Sequence, residues 1–321
     1  MAGSSAGPVV GAVIFQFLSW RWIGYMQLIW FGALFPAYYF FFYESRADVI
    51  LAQPAMKKGN EGGHKECSTG YSSALSLKRV VASATRPVIL FCTEPVLFVS
   101  TLWSSFTVGT LFLFTQSVEQ VFMDLYDWTV EQTGYVQAAI VIGECIGWTL
   151  NFLSRKLYFA SASRNTEVPG SPIPEARLYM AVFGGVLGIS AGMFTYAWTS
   201  YSHIPWIAPA ISLGMVGAGS VLVVTGVSDY VVDAYSTYAG SAIGAVATGE
   251  NLFSAFLPLA TMRMYSTLGL NWASTLLGFI SLALSLLPSL MFIWGKEVRA
   301  RSTFMQQGTH HAEKEEEAGI V

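Results

Sequence analysis

The chain alternates long apolar runs with short polar stretches. From Ile204 to Ser228, twenty-five residues pass without a charge, and Asp229 and Asp233 follow at once. A run of 18 or more apolar residues reads as a helix that crosses a bilayer. One short segment, about Gly7–Leu18, and seven full ones emerge in this way. The full segments are about Trp22–Tyr43, Ile89–Phe114, Val136–Leu153, Leu178–Thr199, Trp206–Ser228, Tyr238–Met262 and Trp272–Trp294. The pattern predicts an all-α polytopic transmembrane helix bundle.

Charge sharpens this picture. The 321 residues are 53% hydrophobic and 12% charged, with mean hydropathy +0.50, whereas soluble domains carry roughly 25% charged residues. The charges fall in the connections. Glu44–Pro87 holds Arg46, Lys57, Lys58, Lys65, Lys78, Arg79 and Arg86, whereas Ser117–Thr133 holds Glu119, Asp124, Asp127 and Glu131 and no base. Arg155, Lys156, Arg164 and Arg177 follow, then an uncharged turn, and Lys296, Arg299 and Arg301 close the last segment. Alternating basic and non-basic loops predict a cytoplasmic C-terminus and a cytoplasmic Glu44–Pro87 loop by the positive-inside rule. Arg263 near an outer end is a mild exception that snorkelling accommodates. The Gly-rich KKGNEGGHKE stretch and the acidic AEKEEE tail read as disordered.

Few catalytic or cofactor-binding chemistries fit these residues. Cys67, Cys92 and Cys145 imply neither a disulfide framework nor a metal site. The histidines lie outside the apolar runs, and no His-x-x-x-His, Cys-His or Ser-Lys set stands at membrane depth, so an enzyme is not expected. GMVGAGS lies inside an apolar run with no strand before it, so it is not a dinucleotide fingerprint. No cofactor and no nucleic acid is expected. The start, MAGSSAGPVVGAV, has no positive n-region and reads as a helix interior rather than a secretory signal.

Acidic residues within or beside the apolar runs are candidate functional groups, because they are costly in lipid. Glu144 lies mid-run in VQAAIVIGECIGWTL, with Gly143 and Gly147 on one face for close packing. A carboxyl there faces the bundle interior or a water-filled cavity, as a proton carrier or as a hydrogen-bonded packing residue. Glu250 and Asn251, beside Gly249, are candidates for substrate or proton binding. Glu94 stands before Pro95, where the helix can break, as a proton or cation site or as an anchor paired with Arg86. Asp229 and Asp233, four apart on one helical face, read as gating residues or as solvated helix-end acids. Trp103, with Phe106 and Phe112, lines an apolar pocket or packs against helices.

Six short motifs resemble one known family in order and spacing. They are GPVVGA, YESRADVILA, TRPVILFCTEPVLF, PEARLYMAVFGG, SDYVVDAY and GENLFSAFLPLATMRMYSTLGLNWASTLLGF. They are similar to the fifth, sixth, seventh, ninth, tenth, and eleventh-to-twelfth helices of major facilitator superfamily transporters of the fungal drug:proton antiporter branch. The opening motif departs from the usual double glycine, since Gly11 is followed by Ala12. The resemblance implies a partial major-facilitator fold: residues 1–43 as the last two helices of the N-terminal half, 44–87 as a cytoplasmic central loop, 88–295 as the C-terminal six-helix half and 296–321 as a cytoplasmic tail. It implies proton-coupled export of a small organic molecule, of multidrug or polyamine type, from a multi-pass protein of the plasma membrane. The partners implied are the bilayer, the substrate and the proton. Because the match begins at the fifth helix, the alternative expectation is an N-terminally truncated, non-transporting protein. Such a chain would associate with the missing helices or with a second copy.

Overall fold

A computed structural model describes residues 2–42, 77–165, 170, 172–302 and 304–305. The KKGNEGGHKE stretch and the tail from Gln306, both read above as disordered, lie outside the described residues. The chain divides into two compact units, Met1–Val13 with Pro87–Val321, and Ile14–Arg86.

The second unit holds α2 (Arg21–Phe41), a 21-residue helix with no buried side chain. Its exposed surface is mostly aliphatic and aromatic, with Arg21 and Gln27 as its charged and amide side chains.

The first unit is built of helices joined by short turns, with no strand among its described residues. Its helices are α1 (Ala2–Phe17, shared between the units), α3 (Leu77–Thr93, likewise), α4 (Pro95–Tyr126), α5 (Val130–Val136) and α6 (Ala138–Ala160). Then come α7 (Leu178–Phe183), a π-helical segment (Gly184–Ser190) and α8 (Ala191–Thr199), which form one continuous rod. Finally come α9 (Ile207–Tyr235), α10 (Ala239–Leu268) and α11 (Leu270–Arg301).

Local chemistry sets several ends. Glu94 breaks the helix between α3 and α4, with φ −105° and ψ 103°, and Pro95 opens α4. Proline suits that first position because its missing N–H would have no intrahelical partner there. Asp127, at φ 55°, closes α4 in the left-handed conformation. A capping box opens α5, where the Thr129 N–H donates to Gln132 Oε1 at 3.1 Å.

Among the described residues, six helical stretches are long and apolar enough to cross a membrane: Pro95–Tyr126, Val130–Arg164, Pro174–Thr199, Ile207–Tyr235, Ala239–Thr261 and Leu270–Phe292. The sequence pattern predicted seven full spans, and α2 is the one outside this set. Its Trp, Tyr, Gln and Pro lower its hydropathy, although its length suffices.

α9 is the centre of the unit. Val216, Val223, Val227 and Val231 on it are at most 1% exposed. It packs extensively on the α7–π–α8 rod and on α6, and also on α4 and α10. Apolar attraction between helices is weak in lipid, so close backbone approach must supply the contact energy. Glycine provides that approach on both sides. A Cβ at Gly143 of α6 would collide with the Gly214 carbonyl of α9, and one at Gly188 of the π segment would collide with Gly219 Cα.

The π segment has its own brace. Ser190 Oγ donates to the Gly185 carbonyl at 2.9 Å and lies 3.1 Å from Ser281 Oγ of α11. Ser285, one turn on, accepts from Trp103 Nε1 at 3.1 Å. Isolated π turns bend a helix and free carbonyls, and these hydroxyls meet that need.

Candidate functional site

Two acidic side chains lie near the middle of the unit, and close packing explains the place of each. Gly143 seats α6 on α9, and Glu144 is the next residue along, 2% exposed. Its Oε1 accepts a hydrogen bond from Ser5 Oγ of α1 at 2.7 Å. Its Oε2 is buried with no hydrogen-bond partner. On α10, a Cβ at Gly249 would lie 2.5 Å from Ser105 Oγ and 2.6 Å from Thr101 Cγ2, both of α4. That tight contact brings the adjacent Glu250 to Ser104, whose Oγ donates to Glu250 Oε1 at 2.5 Å. Each carboxyl thus takes a neutral hydroxyl, not a base.

Two cavities meet these groups. A small one of about 170 Å³ is lined by Ser4 and Ser5 of α1, by Phe112 and Thr115 of α4, and by Glu250, among others. A larger one of about 550 Å³ lies between α6 and α9, lined by Glu144, Cys145, Trp148, Thr149, Val221, Val224 and Thr225. Val224 lines both, and Ser5, which lines the first, is bonded to Glu144, which lines the second.

A second acidic cluster lies where α6 and α9 end and the Pro174 turn begins. Arg177 Nε meets Asp233 Oδ2 at 3.0 Å, and its Nη1 meets Asp229 Oδ2 at 3.2 Å. Its guanidinium carbon also sits 3.6 Å from the centre of the Tyr158 ring. One planar cation therefore bridges two carboxylates and stacks on an aromatic face, a combination lysine cannot reproduce. Two residues away, Glu175 is paired with Arg299 of α11.

The remaining candidates fall elsewhere. Glu94 is 5% exposed and lies 3.5 Å from the Tyr235 hydroxyl, the outer limit for a hydrogen bond. Asn251 is exposed, and its amide donates to the Ala247 carbonyl of its own helix. Trp103 is 1% exposed and packs in the seam with Ser285 and Gly185. Phe106 is buried, and Phe112 lines the smaller cavity. Among the described residues, no group of His, Cys, Asp and Glu could hold a metal ion.

Sequence reasoning missed the partners. Ser5 and Ser104 are small hydroxyls in apolar runs, indistinguishable there from packing serines. Arg177 was visible as a loop base, but its joint hold on Asp229 and Asp233 was not.

Comparison with known proteins accords with this architecture. The family model of the Major Facilitator Superfamily matches residues 1–258. The chain is 34% identical over 296 residues to "MFS transporter cpaT" of Aspergillus oryzae, covering 92% of this chain and 59% of that protein. It is 34% identical over 300 residues to "Efflux pump atB" of Aspergillus terreus, covering 90% and 62%. It is 30% identical over 319 residues to "Efflux pump FUB11" of Gibberella fujikuroi, covering 97% and 54%. The chain therefore spans little more than half the length of these curated relatives. No solved structure matches it significantly. With most of its length matched by the family model, and with six membrane-length apolar helices among its described residues, the chain belongs to the Major Facilitator Superfamily.

Proposed function

We propose that this chain supplies the C-terminal helices of a secondary active transporter that exports a small organic molecule against proton entry. The observation that carries this reading is Glu144. A buried carboxyl with one oxygen unpartnered, lining a cavity of about 550 Å³, suits exchange of a proton for a ligand. Glu250, with its own cavity and a shared neighbour in Val224, is a second proton or substrate group. The Arg177–Asp229–Asp233 cluster acts as a gate at the basic end, and Glu94, facing the Tyr235 hydroxyl, is a further proton or substrate group. The printed names of the relatives, a transporter and efflux pumps, support the direction of transport. In this reading the basic loops and the C-terminal tail are cytoplasmic and the membrane is the plasma membrane. Residues 1–43 belong to the N-terminal half, 44–87 to the central loop, 88–295 to the C-terminal half and 296–321 to the tail.

A second reading rests on α2. A helix with no buried side chain offers its whole surface to a partner, so the chain would be a partner-binding membrane protein that does not transport by itself.

One experiment separates the two. The chain is reconstituted in liposomes, and uptake of a fluorescent lipophilic dye is followed as a pH gradient is imposed. Transport predicts gradient-dependent accumulation that Glu144→Gln abolishes. No accumulation by the unaltered chain favours the second reading, and full accumulation by the variant removes Glu144 from proton coupling.

A further inference from the structure

The polar atoms of the larger cavity are mostly acceptors. Thr149 Oγ1 donates its proton to the Cys145 carbonyl at 2.9 Å, and Thr225 Oγ1 donates to the Val221 carbonyl at 2.6 Å. Both hydroxyls have therefore spent their only hydrogen on their own helices and present lone pairs. Ionised Glu144 adds Oε2, an acceptor with no partner. The backbone N–H groups here lie within α6 and α9 and are used by helical hydrogen bonds. Among the seven lining residues there is no Arg, Lys, His, Asn or Gln. The thiol of Cys145 is a weak donor, which leaves the Trp148 indole N–H as the one strong donor. Trp148 is 62% exposed, with Phe152 set edge-on to its ring at 5.2 Å. The rest of the lining, Val221 and Val224, is aliphatic.

A ligand here meets apolar walls, an aromatic face and acceptors. A carboxylate or phosphate would place its charge against Glu144 with almost nothing to donate to it, at a cost in desolvation. An ammonium group would give Glu144 Oε2 the donor it lacks once the carboxylate turns that buried oxygen toward the cavity, in a charge-assisted bond, and could approach the Trp148 face. We propose that the α6–α9 cavity selects ligands by their hydrogen-bond donors: it binds protonated amines on an apolar or aromatic body, accepts neutral alcohols and phenols less well, and rejects carboxylates. This deepens the transport reading above and rests on it only in taking the occupant to be the cargo.

Cys145 is exposed and lines the cavity, so it can report occupancy. In a Cys67→Ser/Cys92→Ser background it is the sole thiol of the chain. The full chain is purified in lipid nanodiscs at mildly alkaline pH, and its reaction with N-ethylmaleimide is timed without any gradient. The probes are 1-naphthylmethylammonium, 1-naphthylmethanol and 1-naphthylacetate, which share one apolar body. The ammonium should protect at concentrations about tenfold or more below the acetate, as expected for a charge-assisted bond, with the alcohol between them. Glu144→Gln should erase most of that gap while naphthylmethanol still protects, since the shape of the cavity is kept. Thr225→Val, which removes a second acceptor with little change of shape, should weaken the ammonium and the alcohol by about threefold and leave the acetate unmoved. The Thr225 variant keeps the test decisive if the Glu144 variant does not fold. Protection by the acetate equal to that by the ammonium, protection by none of the three, or a gap unchanged in the folded variants would overturn the proposal. Donor-selective protection without gradient-driven export would count against the transport reading alone. Export without donor selectivity would count against this inference alone.

Discussion

The acids in the middle of the bundle and those at its basic end meet different partners. At the end, Asp229 and Asp233 share one guanidinium, so a fixed charge is balanced by a fixed charge. In the middle, Glu144 and Glu250 each take a serine hydroxyl, which donates a hydrogen bond but brings no charge. In the function proposed above, balance there comes from something that arrives and leaves, a proton or a ligand. The first arrangement suits a contact that holds helices in place or parts as a unit, and the second suits a site that changes occupant. α9 links the two regions: it carries the paired aspartates at one end, and its Val221, Val224 and Thr225 form one wall of the larger cavity.

The sharpest way to break this comparison is to disturb the middle without touching the end. Gly143→Val should do so, because a Cβ there runs into the Gly214 backbone and neither helix can yield without moving Glu144. Loss of about 3 kcal/mol or more, or failure to fold, is expected. Gly240→Val is the control: a Cβ at Gly240 has nothing within 4 Å, and near-wild-type stability is expected. The amount of monodisperse protein left after heating in detergent reports both. Equal loss in the two variants would mean that the α6–α9 contact is not special.

Next in size is Arg177→Ala. It leaves two carboxylates four residues apart on one helix face with no cation between them, and it bares the Tyr158 ring. Arg177 is 20% exposed on its side chain, so solvent screens part of the cost. About 1–3 kcal/mol is expected. Adding Asp233→Asn should recover part of this, because one of the two repelling charges is then gone. Thermal stability of the single and double variants measures the recovery, and a double variant less stable than the single one would contradict the bridging role.

Much of this architecture was legible in the sequence, for physical reasons that differ by feature. Helix order followed from apolar runs, the break at Glu94–Pro95 from proline's missing N–H, and the close contact at Gly143 from its four-residue spacing to Gly147. Helix ends were less legible. The apolar run of α4 stops near Phe114, yet its hydrogen bonding continues to Tyr126, so Glu119 and Asp124 ride on its last turns rather than in a loop. Hydropathy marks where an apolar medium would end, and helical hydrogen bonding need not stop there. α2 shows the converse, a helix of sufficient length whose aromatic and polar residues take it out of the apolar class. The π segment left no sign, since its glycines equally suit an ordinary tight helix. The site was legible only as single acids. Ser5 and Glu144 are 139 residues apart in sequence, and Arg177 and Asp233 are 56 apart, so their pairing is a product of the fold.

A finer test asks whether the two aspartates hold Arg177 equally. Asp233 is 22% exposed on its side chain and Asp229 46%. Asp233→Asn should cost about 1 kcal/mol, and Asp229→Asn about 0.5 kcal/mol or less, because the more solvated pair is the more screened. Raising the salt concentration should shrink the first difference and nearly remove the second. Equal costs would show that exposure does not rank these pairs.

The smallest expected effect tests the neutral partnership itself. Ser104 is fully buried, and Ser104→Ala keeps its volume while removing the hydroxyl that donates to Glu250. Half-buried Glu250 can recruit solvent from its own small cavity, so the single variant should lose only about 1 kcal/mol. The informative quantity is the coupling. In a cycle of Ser104→Ala, Glu250→Gln and the double variant, a real hydrogen bond should give about 0.5–1.5 kcal/mol of interaction energy in thermal stability. The Glu250→Gln single should cost little, because its amide oxygen still accepts from Ser104 and no cation loses its partner. That is the opposite of what removing Arg177 does at the basic end. A Glu250→Gln variant as unstable as Arg177→Ala would mean that the mid-span acid carries a fixed structural charge after all, and the distinction between the two regions would fall.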